Sequence, residues 1–208
     1  NNLMEQFYEK DKIEVGIDEA GRGCLFGPVS VAAVIWSQQE PNPDIIIRDS
    51  KKMTERQKNI AYDYIMNNAI AVSHKFIDHE EIDKTNILKS TLKGMHLCLD
   101  DITKNHNVDT ILVDGNQFEF YCDYNDNYLN HVCVVNGDNK YRSIACASII
   151  AKVNRDNYIK QLCEDNPILK EYDLHKNKGY GTAKHLEMIK EKGITQWHRK
   201  TYGICKNF

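Results

Sequence analysis

Long apolar runs are missing from this chain, and none approaches the roughly 20 residues that a membrane-spanning helix needs. No Ser- or Pro-rich linker divides it; there are only four prolines in 208 residues. No internal repeat is present. The N-terminal stretch NNLMEQFYEK lacks the apolar core of a signal peptide. The seven cysteines (24, 98, 122, 133, 146, 163 and 205) form no Cys-x-x-Cys, and no His pair stands at zinc spacing. An odd set of scattered thiols suits a reducing compartment, so a cytoplasmic or nuclear protein is expected. Gly-x-Ser-x-Gly and phosphate-loop motifs are also absent, which leaves no evident side-chain nucleophile or nucleotide cradle. Net charge is only −3, from 27 Lys+Arg against 30 Asp+Glu. That excludes a strongly basic coat protein but not a local basic groove.

What remains is an ordinary globular composition, 41% hydrophobic and 27% charged. Val- and Ile-rich stretches at 12–18, 28–36, 69–77, 109–115 and 131–135 read as strands. Helices are expected from Thr54 onward, where Thr54 and Gln57 form a capping box, and over 86–102, 143–165 and 182–193. The small residues Ala145, Ala147 and Ser148 would let the long helix pack closely on a sheet. Strands first, then alternation, then helices suggest one α/β domain over 1–208. Its core is expected at about 12–165, with a helical, basic extension over about 166–208. The acidic, aromatic segment 116–131 carries no Lys or Arg and reads as a hairpin or an irregular insertion.

Four acids share one kind of position. Asp18 and Glu19 close the first strand, Asp114 closes TILVD, and Asp138 follows HVCVV just before a helix. Strand ends of α/β sheets are where sites gather. Asp114 followed by glycine could equally be a turn, and Asp138 a helix cap. Neighbouring strand residues point to opposite faces, so Asp18 and Glu19 share a site only if the strand ends or distorts there. Clustered carboxylates with no His or Cys suit Mg²⁺ or Mn²⁺. Two such ions can activate water and stabilise the leaving oxygen of a phosphodiester.

GIDEAGRG with GPV, DSKKMT (49–54), IDKTNILKSTLKGM (82–95), LVDGN (112–116), GDNKYRSIACASIIAKVNRD (137–156), HKNKGYGTAKH (175–185) and HRKTY (198–202) follow one another in family order. Together they resemble ribonuclease HII, the type 2 ribonuclease H family. The resemblance implies a ribonuclease H-like α/β fold: a mixed five-stranded sheet flanked by helices, with a helical C-terminal extension. It implies an endonuclease cutting the RNA strand of RNA–DNA hybrids and incising duplex DNA 5′ of embedded ribonucleotides, as in ribonucleotide excision repair. The products would carry 3′-hydroxyl and 5′-phosphate ends. Carried over by motif, Asp18, Glu19, Asp114 and Asp138 become catalytic ligands of two Mn²⁺ or Mg²⁺ ions. Gly21, Arg22 and Gly23 become the sensor of the ribose 2′-hydroxyl, and Tyr180 the aromatic that packs on the adjoining deoxyribose. Lys51 and Lys52 are further candidates for phosphate contact.

The partners so implied are nucleic acids alone: RNA–DNA hybrid and ribonucleotide-containing duplex, with no membrane, bound by a monomer. A basic C-terminal segment agrees, since residues 174–208 hold eight Lys or Arg against two acids. Arg22, where the related ribonuclease HIII has lysine, favours HII. A non-catalytic binder of hybrids is the rival from another class, and retention of all four acids speaks against it. Cys24 stands where the family has proline, which is expected to loosen the Gly-Arg-Gly loop.

Overall fold

The computed structural model describes residues 4–208. β1 (Glu14–Ala20) and β2 (Val29–Ile35) pair antiparallel, with Gly16 opposite Val34 and Ala20 opposite Ser30. β2 is buried along its whole length, which explains why VSVAAVI is apolar without alternation. After α1 (Glu55–Asn68), β3 (Ala71–Ile77) adds antiparallel to β2. The expected capping box opens α1: the Thr54 side chain accepts from the Gln57 N–H, and the Gln57 side chain accepts from the Thr54 N–H.

Two helices, α2 (His79–Lys84) and α3 (Ile87–Thr103), lead to β4 (Thr110–Asp114), which lies parallel to β1. The segment of uncertain reading folds as a hairpin of β5 (Tyr121–Cys122) and β6 (Tyr128–Val134). β6 is parallel to β4, and the sheet order is β3-β2-β1-β4-β6-β5. All five expected strands are therefore present. The sheet has six rather than five because the two-residue β5 is too short to carry a periodic signal.

The faces of the sheet are covered separately. On one side Leu92, Met95, Cys98 and Leu99 of α3 pack on Val15, Ile17, Val31 and Ala33. On the other, α4 (Arg142–Asp165) sets Ala145, Cys146, Ile149 and Ile150 against Ala32 and Val34, with Ala61 and Ile65 of α1 beside them. Contact with β1 is close: a Cβ on Gly16 would overlap the backbone of Ser143 and Ile144. Beyond α4 come α5 (Leu174–Asn177) and α6 (Ala183–Lys192). They share a third core in which Leu169, Leu174, Ile189 and Cys205 meet Phe26, Ile159 and Cys163. The parallel strands β1, β4 and β6 thus end at one edge of the sheet, between α4 and this C-terminal unit.

Candidate active site

β1 does not stop at Asp18 as the sequence suggested; it runs on to Ala20. What ends is its pairing with β4, after Ile17–Val113, while pairing with β2 continues to Ala20–Ser30. The half-freed strand lets two adjacent acids reach one cleft, and the Asp18 carboxylate accepts the Glu19 N–H at 2.7 Å. Asp114 is the last residue of β4, and Gly115 turns the chain away at φ +111°. After β6, Asn136 takes the left-handed conformation and a 3₁₀ turn over Gly137–Asn139 presents Asp138. The Asp138 N–H donates to Asp114 Oδ1 at 3.3 Å, and Tyr141, not Asp138, holds the cap position of α4. Asp114 therefore accepts from the Asp138 backbone, and Asp138 does not cap α4.

All four carboxylates line a cleft of about 650 Å³ together with Gly21, Arg22, Gly23, Lys51 and Tyr180. Lys52 belongs to the same 3₁₀ turn as Lys51 but is exposed and does not line the cleft. Burial, then repulsion from Glu19, Asp114 and Asp138, holds the Asp18 carboxyl well above its ordinary range. Burial likewise pushes Glu19 up to about 7, against the pull of the Arg22 guanidinium 3.5 Å away. Asp138 rises to about 6 through burial and the nearby charges of Asp114 and Asp49. Glu19 Oε2 is buried without a protein partner. Among the described residues, no three of these groups close into a preformed ligand cage. A set of buried, mutually repelling oxygen donors with an orphaned oxygen fits hard divalent cations.

The Gly21–Gly23 loop and the Tyr180 segment are held from behind. Gly21 sits at φ +89°, and its carbonyl and that of Arg22 accept from the buried Arg199 at 2.8 and 2.9 Å. Cys24 is fully buried, and its N–H donates to Gly21 O at 3.4 Å. Tyr180 keeps 42% of its surface exposed, with its hydroxyl pushed up to about 12 by burial and by Cys24. Its carbonyl ends a directed chain. Thr195 N–H donates to His198 Nδ1 at 2.9 Å, so His198 Nε2–H donates to His185 Nε2 at 2.9 Å. His185 Nδ1–H then donates to Tyr180 O at 2.8 Å. Burial keeps both imidazoles below the ordinary histidine range, consistent with these neutral tautomers.

Sequence reasoning missed several groups. Ser50 and Ser148 bond to each other at 3.0 Å in the cleft wall, and Asp49 lies near Asp138. Lys58 lines the cleft. Lys152 lies over the Tyr180 ring at 5.4 Å and pairs with Asp156 at 3.1 Å. The spacing of Ser148, Lys152 and Asp156 along one helix face was the available signal. Lys58, Lys152, Lys176 and Lys178 line a second depression that shares Tyr180 with the cleft. Arg199, counted with the basic patch, is fully buried and unavailable to a phosphate backbone.

A family profile described as Ribonuclease HII matches residues 15–204. The chain is 42% identical over 202 residues to the ribonuclease HII of Bacteroides thetaiotaomicron, covering 97% of this chain and 95% of that relative. It is 40% identical over 208 residues to that of Rickettsia typhi, covering 98% of each. Among solved structures, ribonuclease H2 from Pyrococcus horikoshii OT3 superposes with a TM-score of 0.74 at 21% identity, covering 93% of this chain and 95% of that one. Bst-RNase HIII in complex with Mn²⁺ gives 0.70 at 18% identity, covering 94% and 68%.

Proposed function

From the premise that this chain belongs to the ribonuclease HII family and is a nuclease, we propose that it hydrolyses the RNA strand of RNA–DNA hybrids and incises duplex DNA 5′ of embedded ribonucleotides. The products are a 3′-hydroxyl and a 5′-phosphate. One observation carries this reading: the carboxylate cluster, the Gly21–Gly23 strap and the Tyr180 ring line a single cleft. A cleft that held acids alone would cut phosphodiesters without asking about sugar; one that held the strap alone would bind without cutting.

Asp18, Glu19, Asp114 and Asp138 are the groups that hold divalent cations, Mg²⁺ or Mn²⁺. Two such ions, when bound, supply an activated water and stabilisation of the leaving oxygen. The chain itself positions the substrate. Backbone N–H groups of the glycine strap reach a 2′-hydroxyl that bulkier residues would screen, and this group is what distinguishes RNA from DNA. The half-exposed Tyr180 ring stacks on the neighbouring sugar. Lys51, Lys58 and Lys152 place positive charge where the phosphate backbone enters. The cellular setting proposed is the cytoplasm, and no described helix is long and apolar enough to cross a membrane.

The test is incision of a duplex DNA containing one ribonucleotide, with Mn²⁺ or Mg²⁺ added. Wild-type protein should cut 5′ of that residue. Asp114→Asn and Asp138→Asn should each lose on the order of 10²-fold or more in rate, the scale expected when one charged group of a preorganised site is removed. Full activity in either variant would refute the site, and no incision with either ion would refute the function.

A further inference from the structure

Arg155 and Arg199 are the two largest fully buried side chains among the described residues. Among the described residues neither takes part in an ion pair. Each spends its guanidinium on three backbone carbonyls instead. Arg155 donates to Phe26 O at 2.7 Å, Pro28 O at 2.9 Å and Lys178 O at 2.6 Å. Arg199 donates to Gly21 O at 2.8 Å, Arg22 O at 2.9 Å and Gly27 O at 2.9 Å. Burying two cations without a counter-ion is expensive, and well-packed apolar residues would serve stability as well or better. A guanidinium does what they cannot: its fixed fork of donors sets the direction of each carbonyl it holds.

We infer that Arg155 and Arg199 are specificity-positioning residues, which lock the Gly21–Gly23 strap and the Lys178–Tyr180 strap in one register around a single nucleotide. The inference rests on the nuclease reading above and adds the device that aims its sensor. A trans peptide carries its C=O and N–H on opposite sides. Drawing the Gly21 and Arg22 carbonyls inward therefore turns the N–H groups of Arg22 and Gly23 outward. Among the described residues neither N–H donates to another backbone group, which leaves both for an acceptor in the cleft. Tyr202 adds a second inward pull, its hydroxyl donating to Arg22 O at 2.8 Å.

Arg155 ties the second strap to Phe26 and Pro28, on the chain that continues from the first. Its Nη1 holds the Lys178 carbonyl two residues before Tyr180, while Leu25 N–H holds Gly179 O at 2.8 Å. The straps close directly over it. A Cβ at Gly21 would overlap the Arg155 side chain, and one at Gly179 would stand 3.3 Å from Arg155 Nη2 and 2.9 Å from Phe26 O. Gly21 and Gly179 are thus glycines for two reasons, positive φ and the guanidinium beneath. One buried cation thus hydrogen-bonds Lys178 to Phe26 and Pro28 and packs beneath Gly21, so both straps rest on the same side chain.

The experiment measures binding of two non-cleavable probes in Ca²⁺: a DNA duplex with one ribonucleotide, and the same duplex all in DNA. Arg199→Lys keeps the charge and loses the fork. It should bind the all-DNA duplex like wild type but lose about tenfold of the preference for the ribonucleotide, the worth of one charge-assisted hydrogen bond. Its Mn²⁺ affinity by calorimetry should be unchanged, because the four acids are untouched. A folded Arg199→Lys that keeps the full preference overturns the inference, as does one whose two affinities fall together. Should that variant not fold, Tyr202→Phe decides, since it removes only the second pull on the Arg22 carbonyl from a half-buried position. It should lose about threefold of the preference, less than a full hydrogen bond, and an unchanged preference overturns the inference. A wild type that neither cuts nor prefers the ribonucleotide refutes the nuclease reading itself, which separates the two failures.

Discussion

Asp18 and Glu19 show how a site is held ready at the cost of the fold. Their folded-state carboxyls titrate above their ordinary values, Glu19 near 7 instead of 4.5. Between those two pH values the folded state binds more protons than the unfolded state. Stability from this group therefore falls as pH rises from 4.5 to about 7, and Asp138 contributes the same sign between 3.8 and about 6. Asp18→Asn, whose amide oxygen can still accept the Glu19 N–H, should stabilise the metal-free protein at pH 8 by about 1–3 kcal/mol. The gain should vanish near pH 4, and added Mn²⁺ should raise the melting temperature of wild type more than that of the variant. Thermal melts at the two pH values, with and without the ion, check this. The four acids were legible because strand ends and resemblance pointed to them together. Asp49 was not, because only folding brings it beside Asp138, and Lys152 had no signal but its helix-face spacing with Ser148 and Asp156. Arg199 read as a surface charge because nothing in HRKTY reveals that six carbonyls surround it and Arg155.

At the scale of elements, the critical joint is the crossing of α4 over β1. The helix begins four residues after Asp138 and packs its backbone on Gly16, two residues before Asp18. Gly16→Ala inserts a methyl into backbone, not into a yielding side chain. It should cost about 3 kcal/mol or more, and lower the melting temperature by about 10 °C for a domain of this size. The sequence predicted one partner of this joint, the helix with its small residues Ala145, Ala147 and Ser148; the other, Gly16 inside an apolar strand, is a mark of close approach that went unread. The hairpin of β5 and β6 was legible in part, as a strand at 131–135 and as one of two readings of 116–131. β5 has only two residues, no residue of β6 is fully buried, and the turn is set by Asp123 accepting the N–H groups of Asn125 and Asn127 at 2.9 Å. Too little is buried there to impose a period. This predicts the order of thiol reactivity in the native protein: alkylation should be fastest at Cys122, slower at the half-buried Cys133, and blocked at the other five until unfolding. Mass spectrometry after timed iodoacetamide treatment reads it directly.

Across the whole molecule, the question is whether residues 166–208 form a part or an appendage. Their composition alone suggested a helical extension, and a basic one. Their contacts argue that they complete the fold. The third core is built jointly, Phe26 from the segment after Gly21–Gly23 and Ile159 and Cys163 of α4 meeting Leu169, Leu174, Ile189 and Cys205. Without that segment Phe26 would be uncovered, and Arg155 would lose one of its three carbonyls. Asp83 after α2's first turn closes the same joint from the other side, accepting the N–H groups of Lys200 and Thr201 at 2.9 and 3.1 Å. We propose that the described chain unfolds as one cooperative unit, and the sequence supplies its own reporters, because it has two tryptophans. Trp36 lies in the core under α1 and α4, and Trp197 packs against the third core beside Phe26. Trp36→Phe and Trp197→Phe each leave one reporter. In urea, the fluorescence midpoint of each variant should coincide with its own far-ultraviolet circular dichroism midpoint, as two-state unfolding requires. Loss of the Trp197 signal ahead of the helical signal would show the C-terminal unit to be separately stable, and would also free the Lys178–Tyr180 strap from Phe26 and Pro28, to which Arg155 ties it.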